Sequence, residues 1–206
     1  MNDVFRYDVL PLWEAHHSKH FTMSDVILIN WAGAQAFTLH INTPSRADGS
    51  PYINHPFRML KIAMGELGVY NKELNITILF HDVPEETKIG VLRDIIGASV
   101  ELWFGLKSKN NITQLTKTPE NKKTYLKDIK ESGDWIVILA KLIDRLDNMQ
   151  TLGGLEPGFQ QKQARETREF FLDMCDALAR VIPEQYHYVP ARIKTRLEAL
   201  CEQYGC

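Results

Sequence analysis

Apolar residues recur at helical spacing along nearly the whole chain, and alternating strand-like runs are few. Over residues 22–40, Val26, Ile27, Ile29, Trp31, Ala34 and Phe37 mark a helix. Residues 41–54, INTPSRADGSPYIN, are dense in Pro, Gly, Ser and Asp and predict a loop. The next helix is expected to start near His55. Pro56 is tolerated in a first turn, Phe57, Leu60, Met64 and Leu67 share a face, and Gly68 is a natural end. Residues 72–82 predict another helix with Leu74, Ile76, Ile78, Leu79 and Phe80 buried, and Pro84 is expected to break the run at Val83.

Short helices are expected at 88–96 and 98–106, then a loop over 107–119 and a polar helix over 120–131. Residues 134–152 are apolar on more than one face, the mark of a central, buried helix. A long helix over 158–182 should stop at Pro183, and a last one over 190–204 carries Ile193, Leu197, Leu200 and Tyr204 on one face. The pattern predicts one all-α domain over residues 1–206. Its motif-bearing core is about 22–182, and the helix at 190–204 follows it.

A length of 206 residues suits one domain with a substantial core. The net charge of −2 gives no basic excess for nucleic acid, yet leaves a small anionic substrate open, because local charge decides that case. Cys175, Cys201 and Cys206 have no paired spacing, so a disulfide framework is not expected and a reduced, cytoplasmic compartment fits. The first residues lack the basic start and apolar run of a signal peptide, and no apolar stretch reaches the length of a membrane span, so no membrane partner is expected. The sequence is silent on oligomeric state.

Candidate chemistry centres on His55, the adjacent pair His81 and Asp82, and Asp144, each on or at the end of a predicted buried helix. Two imidazoles and two carboxylates form an N2O2 donor set for a borderline divalent ion. Singly, each has a plainer reading: a histidine capping a helix, or an aspartate paired with the neighbouring Arg145. Lys141, Asp144, Asn148 and Thr151 share one helix face, a polar stripe on an otherwise apolar helix that suits either a buried network or a ligand. Just past Pro84, Glu85 and Glu86 are positioned to accept a proton from a metal-activated water, or else to cap an acidic turn. His16, His17 and His20 read as a solvated face, and Lys162 and Arg165 as a basic face or a phosphate contact.

The succession DGSPYINHP, ILFHDVPEET, LAKLIDRLDNMQTL and ARETREFF resembles, in order, the hydrolase domain of the RelA/SpoT family, over about residues 40–182. That resemblance implies an HD-type helical bundle that removes the 3′-pyrophosphate of the alarmones ppGpp and pppGpp. It also implies one divalent ion, usually Mn²⁺, held by His55, His81, Asp82 and Asp144. The stretch between Asp82 and Asp144 has no histidine, which agrees with a single metal. Glu85 and Glu86 match the family's catalytic Glu-Asp pair, with Glu in place of Asp at position 86.

The resemblance further implies that Arg46 packs on the base and that Asn148 and Thr151 face the nucleotide; from their own charge and placement, Lys141, Lys162 and Arg165 are expected as further substrate contacts. Ala47 stands where the family has Lys, and Phe171 where many members have Tyr. With Glu86, these differences leave two alternatives open. One is an adenine alarmone or the 2′-phosphate of NADPH as substrate; the other is a nucleotide-binding module with weakened catalysis.

Overall fold

Thr22 opens the first of the described helices. Its hydroxyl accepts from the Asp25 amide at 3.2 Å, and the Asp25 carboxylate accepts from the Thr22 amide at 3.1 Å, a reciprocal capping box. The computed structural model describes residues 19–46, 49–86 and 90–205, leaving aside the side chains of 86 and 90–93. Helix α1 runs Met23–His40, α2 Asn54–Leu60, α3 Lys72–Phe80, α4 Val83–Glu86 and α5 Gly90–Leu115. Then come α6 (Tyr125–Glu131), α7 (Trp135–Gln150), α8 (Pro157–Glu166), α9 (Leu172–Ala179) and α10 (Val189–Gln203). Among the described residues there is no strand, so the all-α expectation holds. No described helix is long and apolar enough to cross a membrane. The contacts divide the chain between Lys122 and Lys123 into two compact units.

In the first unit α3 packs against α1, α2 and α5. Helix α2 begins after a turn in which the Asn54 and His55 amides donate to the Pro51 and Tyr52 carbonyls, both at 3.0 Å. Pro56 is accommodated because first-turn amides have no partner within the helix. The helix then loosens into a π-turn, Lys61–Glu66, where the Leu67 amide reaches back to the Ile62 carbonyl at 2.9 Å. Gly68, at φ 66°, ends it as expected.

Two expectations need correction here. Pro84 does not keep Val83 out of helix: α3 ends at Phe80, His81 and Asp82 turn, and Val83 begins α4 with Pro84 in its first turn, where no amide is required. The expected loop at 107–119 is helical as far as Leu115. The break comes earlier, at Gly105, whose φ of 87° a side-chain-bearing residue rarely adopts. The polar string after it hides a helical stripe of Ser108, Asn111, Ile112 and Leu115, all buried. The Ser108 hydroxyl donates to the Phe104 carbonyl at 3.3 Å and Asn111 Nδ2 to Thr77 Oγ1 at 3.3 Å, so these buried side chains have partners. Residues 120–124 form turns, and the helix expected over 120–131 starts only at Tyr125.

In the second unit α7 is the central helix that its apolar faces predicted. Asp134 caps it, its Oδ1 accepting from the Ile136 amide at 3.0 Å. The helix is buried along most of its length, against α6, α9 and α10. The long helix expected over 158–182 is carried by α8, a π-turn at Thr167–Phe171, and α9. Leu139 has no solvent exposure. Leu139→Ala is expected to cost about 2–5 kcal/mol, read as a lower denaturant midpoint with an unchanged slope.

Candidate metal centre

His55, in the first turn of α2, is buried. His81 caps the C-terminal end of α3, and Asp82 follows it in the turn before α4. The three side chains each bring a ligand atom to a common point, all within 4.8 Å of one another. His81 Nε2 lies 3.0 Å and His55 Nε2 3.6 Å from Asp82 Oδ2.

The chemistry of this set fits a divalent cation. His81 Nδ1 is 2.8 Å from the Ile78 carbonyl, which can only accept, so Nδ1 carries the proton. In the neutral ring the lone pair then sits on Nε2, the nitrogen facing Asp82. A backbone carbonyl fixing the tautomer in this way is the usual support for a metal-bound histidine.

Two further residues, with no expected role, stand beside this cluster. The Tyr52 hydroxyl donates to Asp82 Oδ2 at 2.7 Å. The His40 ring stacks on Tyr52 at 4.9 Å between centroids, and its Nδ1 lies 3.3 Å from Thr43 Oγ1. Burial, as the chief cause, pushes the His40 pKa down to about 4, so the ring is neutral near pH 7. Tyr52 stands inside the PYIN string before His55, which was the available signal.

Arg46 packs its guanidinium 5.9 Å from the centroid of the Tyr52 ring, and its main chain closes a tight loop with Ser50 and Gly49. Glu85 is exposed, and one of its carboxylate oxygens accepts from the Lys117 amide at 2.5 Å. Ala47, His16, His17, Cys206 and the Glu86 side chain lie outside the described residues. His20 stacks on Tyr70 at 4.2 Å, a packing role.

In the second unit Asp144 is buried on α7, held between two neighbours on its own face. Lys141 Nζ donates to Oδ2 at 2.7 Å and Asn148 Nδ2 to Oδ1 at 2.6 Å. The predicted polar stripe is therefore a bonded array. The Thr151 hydroxyl lies within 3.2 Å of the Asp147 and Asn148 carbonyls, where it donates at the helix end. Lys162 and Arg165 are exposed on α8.

Arg145 does not pair with Asp144. Its guanidinium binds Glu166 at 2.6 Å and Gln163 at 2.5 Å and covers the Phe171 ring at 4.0 Å. Phe171 is itself buried, so it is a packing residue under Arg145. Cys175 and Cys201 are buried, and burial pushes the Cys175 thiol up to about 12, which suits core packing and not nucleophilic chemistry.

A family model described as HD domain matches residues 32–178. A protein of Escherichia coli K12 named bifunctional (p)ppGpp synthase/hydrolase SpoT is 33% identical over 160 residues, covering 76% of this chain and 21% of its own length. A guanosine-3′,5′-bis(diphosphate) 3′-pyrophosphohydrolase of Haemophilus influenzae is 33% identical over 137 residues, 65% of this chain and 20% of its own. The chain thus spans about a fifth of the length of these curated relatives. A solved structure, described as a metazoan ortholog of SpoT that hydrolyzes ppGpp and plays a role in starvation responses, shares the fold. It aligns with a TM-score of 0.60 at 20% identity, over 86% of this chain and 96% of that one.

Proposed function

This chain belongs to the HD domain family, and from that premise we propose that it is a metal-dependent phosphohydrolase that removes the 3′-pyrophosphate of (p)ppGpp-type alarmones. The observation that carries the reading is the convergence of His55, His81 and Asp82 with the His81 tautomer set for coordination. Asp144 is assigned as the fourth ligand on its motif alone, and Mn²⁺ as the ion that the family resemblance implies for such a donor set. We take residues 1–206 as a single HD-type domain.

When bound, a divalent ion supplies Lewis acidity to the phosphoryl group and acidifies the attacking water. The protein's own residues do the rest. Tyr52 orients Asp82 through its hydroxyl, and the Ile78 carbonyl orients His81. Glu85, with Glu86 beside it in sequence, takes the proton as the water oxygen bonds to phosphorus. The bond from the ribose 3′-oxygen to phosphorus breaks, the 3′-oxygen takes up a proton from solvent as Glu85 returns its own, and pyrophosphate leaves with GDP or GTP. Arg46 stacks on the base, as its planar cation can on any nucleobase. Lys141, Asn148 and Thr151 contact the nucleotide once its binding redistributes their present hydrogen bonds, and Lys162 and Arg165 supply charge toward the outer phosphates. A cytoplasmic location fits such a substrate.

Product analysis across ppGpp, ppApp, NADPH and dNTPs with Mn²⁺ tests this reading. Pyrophosphate and GDP from ppGpp are expected. Orthophosphate from NADPH as the preferred reaction, or turnover of ppApp alone, would replace the substrate. Tyr52→Phe removes one support of a metal ligand and keeps the ring. It is expected to weaken Mn²⁺ binding by about 10–100-fold in a direct titration, and unchanged affinity would remove Tyr52 from the account.

A further inference from the structure

The Lys117 amide that holds Glu85 belongs to a turn gripped by one side chain. Asn121 Nδ2 donates to the Thr116 carbonyl at 3.1 Å, and Asn121 Oδ1 accepts from the Thr118 amide at 2.8 Å. The Thr118 hydroxyl accepts from the Asn121 amide at 3.3 Å, and the Thr116 hydroxyl ties the turn to the end of α5 through the Ile112 carbonyl at 2.8 Å. The Thr116 carbonyl and the Lys117 N–H are the two poles of one planar trans peptide and point in opposite directions. Fixing the carbonyl on Asn121 therefore fixes the direction of the N–H, which donates to Glu85.

We propose that Asn121 is a positioning residue for Glu85: by clamping both sides of Lys117 it aims the amide that holds the Glu85 carboxylate. The inference rests on the reading of Glu85 as the proton acceptor. A carboxylate on an exposed side chain has several rotamers, and a charge-assisted bond to a fixed amide selects one. Loss of the clamp should leave substrate binding alone and lower the fraction of enzyme with the base in register, because a shift of about 1 Å can cost up to about a hundredfold in rate.

The test is a double-mutant cycle on the full chain with ppGpp and Mn²⁺. Asn121→Ala is expected to lower kcat about tenfold or more with KM nearly constant, and to have no further effect in a Glu85→Ala background. Asn121→Asp keeps the acceptor for the Thr118 amide, and so the turn, but loses the donor to the Thr116 carbonyl. It should show the same loss and serves in place of Asn121→Ala should that variant fail to fold. If Glu85→Ala lowers kcat while the Asn121 variants do not, or if their losses multiply with that of Glu85→Ala, the positioning role is wrong and the base assignment stands. If Glu85→Ala itself leaves kcat intact, both fall.

Discussion

Asp82→Ala is expected to abolish hydrolysis and divalent-metal binding while leaving the helices in place. Asp82 Oδ2 is the point on which the cluster converges, with the Tyr52 hydroxyl at 2.7 Å and the Nε2 atoms of His81 and His55 at 3.0 and 3.6 Å. Removing it takes away a ligand and strands the groups aimed at it. Loss of a supporting partner alone costs about 10–100-fold, so loss of the ligand should exceed about 10³-fold. Helix content should survive, because Leu74, Ile78, Leu79 and Phe80 supply the core beside it and Asp82 is itself partly exposed. Pyrophosphate release and far-ultraviolet circular dichroism on the same sample check both halves. Substantial turnover would remove Asp82 from the centre, and collapse of the helical signal would make the cluster a structural one.

Glu85→Gln should lower kcat by about 10²–10⁴-fold with little change in KM. The substitution keeps the size of the side chain and an oxygen that can accept from the Lys117 amide, so geometry is conserved and basicity is not. Glu86→Gln is expected to lose less, since Glu stands there where the family has the shorter Asp. Arg46→Ala removes a stacking cation that serves ground state and transition state alike, so KM should rise with kcat held. Steady-state kinetics of the three variants decide this. Wild-type kcat in both glutamine variants, or an Arg46→Ala effect confined to kcat, would overturn the division between chemistry and binding.

The His55, His81 and Asp82 cluster was legible in the sequence because its residues sit in extended strings whose helical context is also readable: a Pro in a first turn after His55, and an apolar run ending at His81. What supports the cluster was not. Tyr52 meets Asp82 across 30 residues of chain, and nothing local to either says where a phenol will point. The helix from Lys107 to Leu115 was unreadable for a related reason: its inward face carries Ser108 and Asn111, whose burial is tolerable only because Thr77 and Phe104 accept their hydrogen bonds. Phe171 stands where many family members have Tyr, and that its ring would be the platform for Arg145 is a contact between segments that neither one encodes. Lys141 and Asn148 were recognised as sharing the Asp144 face, and that spacing delivers both to its carboxylate. Spacing along a helix predicts such local pairs well; contacts between helices depend on packing that no single segment encodes.

The most direct test of a mononuclear, metal-dependent hydrolase is to titrate Mn²⁺ into metal-free protein while recording pyrophosphate release from ppGpp. Activity should be absent at the start, rise with metal and saturate at one ion per chain. Full activity without added metal in a chelated, metal-free sample, or saturation only at two ions per chain, would contradict it.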